Sequence, residues 1–311
     1  MLNFKIKTVI MKKDTSKKLS EEFMKEQIYI LKNAKTFEPR QIFECGQCFR
    51  WDRQPDESYI GIFNGNVLNV KKENNDIVFK GICDGDIKEI CTEYFDLKRN
   101  YEEIKETLSK VDENISKSIL YGSGIRLLNQ DLWETIISFI ISANNNIPRI
   151  KKIIETISKR YGKEINWDGK KYYTFPSPED LRNVSIVDYR SAGLGFRDKY
   201  VYKAVEMVLS KEVDLKEIEQ MDETEKIKEK LMTIPGVGEK VANCILLFST
   251  LKRLDAFPVD VWVRRVMKEL YFPDIEEKKL EKNKIQELAH EKYKNLAGIA
   301  QQYLFYWKRE A

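Results

Sequence analysis

Apolar positions in this chain change period once. Between Phe37 and Ile82 they alternate or gather in short β-rich runs, Ser58–Val70 and Asp76–Ile82, and the Asn64-Gly65 pair inside this region is a strong hairpin signal. A small antiparallel sheet is predicted, with a helix over Ile87–Tyr94 packed on it. From Tyr101 onward the period is that of helices: Ile104–Val111, Leu132–Ser142, Arg149–Tyr161, Pro178–Asn183, Arg197–Leu209 and Lys284–Trp307. The fold class read from this is α+β, with a flexible tail over 1–20, an antiparallel β-sheet domain over 21–120 and an all-α domain over 121–311. No repeat or low-complexity linker divides the two domains, so they are expected to pack together.

The strongest local signal lies at 223–250. Glu223–Met232 carries Lys/Glu pairs at helical spacing with Ile227 and Leu231 apolar at i and i+4; Pro235, Gly236 and Gly238 stop it, and Glu239–Ser249 resumes a helix. Two helices joined by Pro-Gly-Val-Gly make a hairpin. Its glycines allow close backbone approach, and the turn ends at a helix N-terminus whose free N–H groups favour an anion such as a phosphate. Lys240 falls in the first turn of that second helix, where the dipole disfavours a fixed cation and a nucleophilic amine is well placed, although a solvated surface lysine is the ordinary alternative. Asp260, after Pro258 and before the predicted helix Val261–Leu270, is a natural N-cap, a role that leaves room for a second. The chain between Lys240 and Asp260 is long enough to bring both to one mouth.

Composition narrows the picture without deciding it. The chain has 311 residues, 42% of them apolar, enough for a substantial core; Lys+Arg 54 against Asp+Glu 50 leaves a net charge of only +4, so any nucleic-acid affinity must come from a local basic face. Five cysteines at irregular spacing argue against a secreted disulfide framework and for a cytoplasmic, or in a prokaryote nucleoid-associated, location. Cys45 and Cys48 have the spacing of half a zinc knuckle, but His290 is the sole histidine and Cys83 and Cys91 form no second close pair, so no metal site is expected. No apolar run approaches a membrane span, and Met1–Lys13 lacks the apolar core of a signal peptide.

Three further segments are chemically unusual. Cys45-Gly-Gln-Cys-Phe-Arg-Trp51 reads as a glycine bulge in a strand with Phe49 and Trp51 in the core. Asn144-Asn145-Asn146-Ile-Pro-Arg149 reads as a helix C-cap and turn, although amides beside an arginine also suit base edges. In Leu194-Gly-Phe196-Arg197-Asp-Lys-Tyr200, Phe196 is either a core residue or, with Arg197, an exposed wedge for a base stack.

Ile234-Pro-Gly-Val-Gly-Glu-Lys240 together with Phe257-Pro-Val-Asp260 resembles the helix-hairpin-helix and Gly/Pro-rich loop signature of the DNA glycosylase superfamily. The Gly-Gln-x-Phe-Arg-Trp, Asn-Asn-Asn-Ile-x-Arg and Leu-Gly-aromatic-Arg-x-x-Tyr segments, and the terminal Gln301-x-x-x-Phe305, match in order those of the 8-oxoguanine DNA glycosylases, from about residue 35 to the end. The resemblance implies action on double-stranded DNA that contains 8-oxoguanine, a lesion flipped from the stack, removal of the base and strand cleavage by β-elimination; a monomer is the default expectation for an enzyme that encloses DNA. No cofactor is implied beyond a monovalent cation at the hairpin, and the four-cysteine cluster by which many relatives hold iron and sulfur is missing from the sequence.

Carried over residue by residue, the resemblance makes Lys240 the nucleophile and Asp260 the stabiliser of the sugar cation. Gly46 would offer its carbonyl to the lesion N7–H, Cys244 and Phe305 would sandwich the ring, and Gln301 would bind its Watson–Crick edge. Asn144 would fill the vacated stack, Arg149 and Arg197 would read the orphaned cytosine, and Phe196 would wedge beside it. Gly236, Val237 and Gly238 would hold a phosphate. Two departures stand out: Trp262 where the family commonly has histidine, and Phe196 where it commonly has tyrosine. The rival readings are a glycosylase/lyase of the same fold for another base and a non-catalytic DNA-binding module.

Overall fold

Asn64 and Gly65 both take left-handed φ, 48° and 77°, and close the predicted hairpin at the predicted place. The computed structural model describes residues 25–311, so the tail over 1–20 lies outside the described residues. Strands β1 (Glu26–Leu31), β2 (Trp51–Arg53), β3 (Tyr59–Phe63), β4 (Asn66–Glu73) and β5 (Asp76–Ile82) form one antiparallel sheet in the order β1-β5-β4-β3-β2. Helix α1 (Pro39–Phe43) lies between β1 and β2, and α2 (Ile87–Tyr94) follows β5, capped by Asp86. One face of the sheet buries an aromatic core in which Phe43 stacks on Trp51 at 4.0 Å and Phe63 on Tyr94 at 3.8 Å.

The helical part comprises α3 (Tyr101–Ser109), α4 (Glu113–Tyr121), α5 (Leu132–Ser142), α6 (Ile147–Tyr161), α7 (Ile186–Ser191), α8 (Asp198–Leu209), α9 (Leu215–Gln220), α10 (Thr224–Met232), α11 (Glu239–Phe248), α12 (Val261–Tyr271), α13 (Lys282–Tyr293) and α14 (Ala297–Glu310). Its centre is α5 and α11, whose apolar residues are buried almost all round. A helix apolar on every side belongs in the interior. Helices α3 and α4 contribute Ile104, Leu108, Ile115 and Ile119 to this helical core rather than to the aromatic core of the sheet.

Four expectations are corrected. Strand signals do not end at Tyr101: β6 (Glu164–Trp167) and β7 (Lys170–Tyr173) form a hairpin inside the helical part, turned at Asp168 and Gly169 with φ of 50° and 70°. Ile165 and Trp167 are buried against Val67 on the far face of the sheet, and the Trp167 indole donates to Glu26 at 2.9 Å, which fastens the two parts together. Pro178–Asn183 is a pair of turns, not a helix, because Leu181 and Val184 close short three-residue hydrogen bonds onto Pro178 and Leu181. The continuous helix over Lys284–Trp307 is broken at Lys294, whose φ of 53° cannot continue a right-handed helix.

Finally, Cys45–Arg50 is not a bulged strand. The carbonyls of Glu44 and Cys45 are taken by side chains of α14 instead of a neighbouring strand, so the backbone turns, and pairing begins only at Trp51. Phe49 and Trp51 are in the core as expected. Gln47, fully buried, staples this segment to the helical part: its amide donates to the Ile42 and Arg126 carbonyls at 2.9 and 2.8 Å and accepts from Leu128 N–H at 2.9 Å.

Candidate functional site

The hairpin forms between α10 and α11 with a turn over Ile234–Gly238. Gly236 has φ +88°, and a Cβ there would come within 2.9 Å of the Tyr200 ring, so both conformation and packing require glycine. Helix α11 starts at Glu239 after Gly238, which supplies no side-chain cap to the first-turn N–H groups; in the turn before it, the Val237 N–H expected to meet a phosphate is already taken by Ile234 O at 3.0 Å. An uncapped helix N-terminus of this kind favours an anion.

Lys240 is the second residue of α11 and half-buried; its Nζ stands 5.4 Å from the centre of the Phe139 ring on α5. Among the described residues no carboxylate lies within ion-pair distance of it. Asp260 caps α12, its Oδ1 accepting Val263 N–H at 2.8 Å, as its position in the sequence required. Cys244, buried one helical turn beyond Lys240, feels the charge of both side chains. Burial pushes the Cys244 thiol up, the Lys240 ammonium acts against this, and the Asp260 carboxylate reinforces it. A nucleophile-type amine, a carboxylate and a buried thiol are therefore near enough for their charges to act on one another.

Opposite stands α14. Gln301 is 5% exposed and its Oε1 finds no partner, an acceptor held ready for a donor that the described residues do not supply. Phe305, one turn on, is half-buried and lies against Gly46: a Cβ on Gly46 would sit 3.6 Å from Phe305 Cε1. Gly46 has φ +88°. No donor among the described residues reaches its carbonyl.

Next to the hairpin lies a continuous exposed surface. Asn144 is exposed at φ 49°, while its neighbours do the capping: the Asn145 amide donates to Ile141 O at 3.1 Å, and Asn146 caps α6 by accepting Arg149 N–H at 3.0 Å. Arg149 reaches the Gly193 carbonyl at 3.3 Å. Phe196 is 59% exposed rather than in the core, and it meets Tyr200 edge-on. Arg197, in contrast, is 2% exposed and turned inward, with Nε on Ala143 O at 2.8 Å and Nη2 on Asn144 O at 2.9 Å. Through these contacts the Asn144 turn, the Phe196 loop and the hairpin become one face. Trp262 is exposed on the first turn of α12, beside Asp260.

Sequence reasoning missed Phe139, Gln302 and Arg309. Phe139 is one apolar residue among many in α5 and carries no signal. Gln302 offered one, as a second glutamine within an otherwise apolar, aromatic run.

A hairpin that ends at a lysine, followed by an aspartate-capped helix, on a helical domain joined to an antiparallel sheet, defines a helix-hairpin-helix base-excision protein. Residues 137–303 match the HhH-GPD superfamily of base excision DNA repair proteins, and residues 29–136 match the N-terminal domain of 8-oxoguanine DNA glycosylase. The chain belongs to the HhH-GPD superfamily, in the branch that carries the 8-oxoguanine DNA glycosylase N-terminal domain. It is 35% identical over 231 residues to a probable N-glycosylase/DNA lyase of Methanothermobacter thermautotrophicus, covering 68% of this chain and 71% of that protein. It is 30% identical over 278 residues to the N-glycosylase/DNA lyase OGG1 of Arabidopsis thaliana, covering 85% and 75%. The crystal structure of Clostridium acetobutylicum 8-oxoguanine glycosylase/lyase with double-stranded DNA containing cytosine opposite 8-oxoG superposes with a TM-score of 0.86 at 42% identity, over 92% of this chain and 97% of that one.

Proposed function

We propose that this protein flips 8-oxoguanine out of duplex DNA, opposite cytosine, excises it, and cleaves the strand by β-elimination through a Schiff base on Lys240. The observation that carries the lesion assignment is that two acceptors stand without a donor among the described residues, the Gly46 carbonyl, in a turn that lies against Phe305, and Gln301 Oε1, one helical turn before Phe305. 8-Oxoguanine bears a proton on N7 and guanine does not, so a carbonyl acceptor there distinguishes the two. One such hydrogen bond left unmade in a closed site costs about 1–3 kcal/mol. Gln301 Oε1 accepts from the Watson–Crick N–H groups, and Cys244 and Phe305 take the two faces of the ring.

Flipping costs a few kcal/mol and exposes the sugar. The Lys240 amine attacks C1′ as the bond to the base breaks, and the base leaves with the bonding pair and takes up a proton. Asp260 stabilises the positive charge that develops on the sugar. Ring opening gives the Schiff base, which acidifies the C2′ proton; its loss expels the 3′ phosphate. The turn N–H groups of Gly236 and Gly238 hold a backbone phosphate, with Val237, whose own N–H is taken by Ile234 O at 3.0 Å, setting the turn between them, and a monovalent cation at the hairpin would share the phosphate's charge. No step calls on a cofactor, and one chain suffices.

On the exposed face Asn144 fills the vacated stack, Phe196 wedges beside it and Arg149 reads the orphaned cytosine. Arg197 would join it by exchanging the Ala143 and Asn144 carbonyls for the base, with Phe196 carrying its guanidinium at 4.3 Å.

The test is borohydride trapping on duplexes carrying 8-oxoguanine, thymine glycol or hypoxanthine, with wild type and Lys240→Gln. An adduct on 8-oxoguanine alone, absent from the variant, is the expected result. Trapping on another lesion would keep the lysine chemistry and overturn the Gly46 argument; no adduct anywhere would overturn catalysis itself.

A further inference from the structure

Three consecutive carbonyls run through the turn that faces the site, and they have different fates. Glu44 O is taken by Arg309 Nη2, Cys45 O by Gln302 Nε2 at 2.7 Å, and Gly46 O by no described residue. Both donors sit on α14, the helix that also presents Gln301 and Phe305. Gln302 is 2% exposed. The Arg309 guanidinium lies 5.3 Å from the Phe305 ring centre, and its Nη1 would be 3.5 Å from a Cβ on Gly46. On the other side of the turn Gln47 is held by Ile42, Arg126 and Leu128.

We propose that Gln302 and Arg309 are positioning residues for lesion discrimination: by occupying the two preceding carbonyls they tie the turn to α14 and leave the Gly46 carbonyl aimed at the base. This rests on the 8-oxoguanine reading of the site. Its physical content is that a single helix sets the spacing between both groups that read the lesion, the Gln301 amide directly and the Gly46 carbonyl through Gln302 and Arg309. Hydrogen bonds weaken steeply with misalignment. With Gln302 unable to donate, Cys45 O is left buried without its partner and the following peptide is free to rotate. The N7–H contact then loosens, while Lys240, Cys244 and Asp260, on other elements, stay where they are.

The experiment compares wild type, Gln302→Met and Arg309→Met in two single-turnover assays: release of 8-oxoguanine opposite cytosine, and cleavage at a preformed abasic site, which needs no base pocket. Base release is expected to fall about 10-fold or more in each variant, the equivalent of one buried hydrogen bond, with abasic-site cleavage within about 2-fold of wild type. Binding preference for 8-oxoguanine over guanine duplexes should shrink in parallel. Equal losses in both assays would mean that the residues merely hold the fold, and unchanged base release would overturn the proposal. Arg309, at the half-exposed end of α14, supplies the answer if Gln302→Met does not fold. A wild-type protein that releases another base but not 8-oxoguanine would instead overturn the functional reading on which the proposal rests.

Discussion

Arg197 Nη2 donates to the Asn144 carbonyl at 2.9 Å, so the residue that braces the Asn144 turn is itself a candidate reader of the opposite base. A nearly buried guanidinium bonded to the carbonyls of Ala143, Asn144 and Leu194 holds Asn144 at its left-handed φ of 49°. Arg197→Ala leaves those carbonyls unpaired. The expected loss is about 2–4 kcal/mol, on the order of 3–6 °C in Tm for a protein of this size. Arg197→Lys, with a single point of donation, should fall between. Thermal denaturation of the DNA-free proteins checks this, and an Arg197→Ala variant as stable as wild type would show that the guanidinium does not hold the turn.

Asp260 separates structure from chemistry within one side chain. Its Oδ1 caps α12 through Val263 N–H, and asparagine caps as well as aspartate. Asp260→Asn should therefore leave Tm nearly unchanged while base release falls by about 10²- to 10³-fold, because the negative charge facing the sugar cation is gone. Asp260→Ala should lose about 1 kcal/mol of stability besides. Calorimetry and single-turnover kinetics on both variants decide it. Normal excision by the asparagine variant would confine Asp260 to capping.

These two residues also mark what could be read from sequence. The hairpin helices were predicted as Glu223–Met232 and Glu239–Ser249 and form over Thr224–Met232 and Glu239–Phe248, because turn glycines and i, i+4 pairs are local signals. The Asp260 cap is equally local. The β6–β7 hairpin escaped notice although Asp168-Gly169 is a turn pair; each strand has four residues, too few for alternation to rise above a helical background. Cys244 came through the family resemblance, with its place one helical turn beyond Lys240 in agreement. Gln302 and Arg309 could not come that way: they act on backbone carbonyls 257 and 265 residues distant, and any residue type offers a carbonyl. Nor did the sequence reveal that Arg197 faces inward while Phe196 beside it faces out, since that depends on which carbonyls the Asn144 turn leaves unpaired.

Gly46→Ala tests the lesion pocket. A methyl there meets Phe305 and Arg309 at ordinary contact distances, 3.6 and 3.5 Å, so the substitution is penalised by conformation rather than by collision. A φ of +88° costs an alanine about 1–2 kcal/mol, and relief of that strain turns the carbonyl away from the base. Excision of 8-oxoguanine should fall about 10-fold or more, with abasic-site cleavage retained. Equal activity on 8-oxoguanine in wild type and variant would show that the Gly46 carbonyl does not read the lesion.

Glu134 supplies a pH dependence remote from the chemistry. It lies in the first turn of α5 with its side chain 17% exposed, and burial pushes its carboxyl up to about 7 despite Arg50 Nη1 at 3.9 Å, with Asp131 adding a smaller upward push. In the unfolded chain the same group titrates near the usual glutamate value. Between these limits the folded protein keeps a proton that the unfolded chain releases, so stability falls as pH rises through this window. The contribution is complete below the unfolded value and gone above about 7. Glu134→Gln carries no such proton. Whatever constant offset the substitution brings through Arg50, the difference in Tm between variant and wild type should move in the variant's favour from pH 5 to pH 8. Thermal melts of both proteins across that range measure it, and a difference independent of pH would mean that Glu134 is ionised in the folded protein throughout.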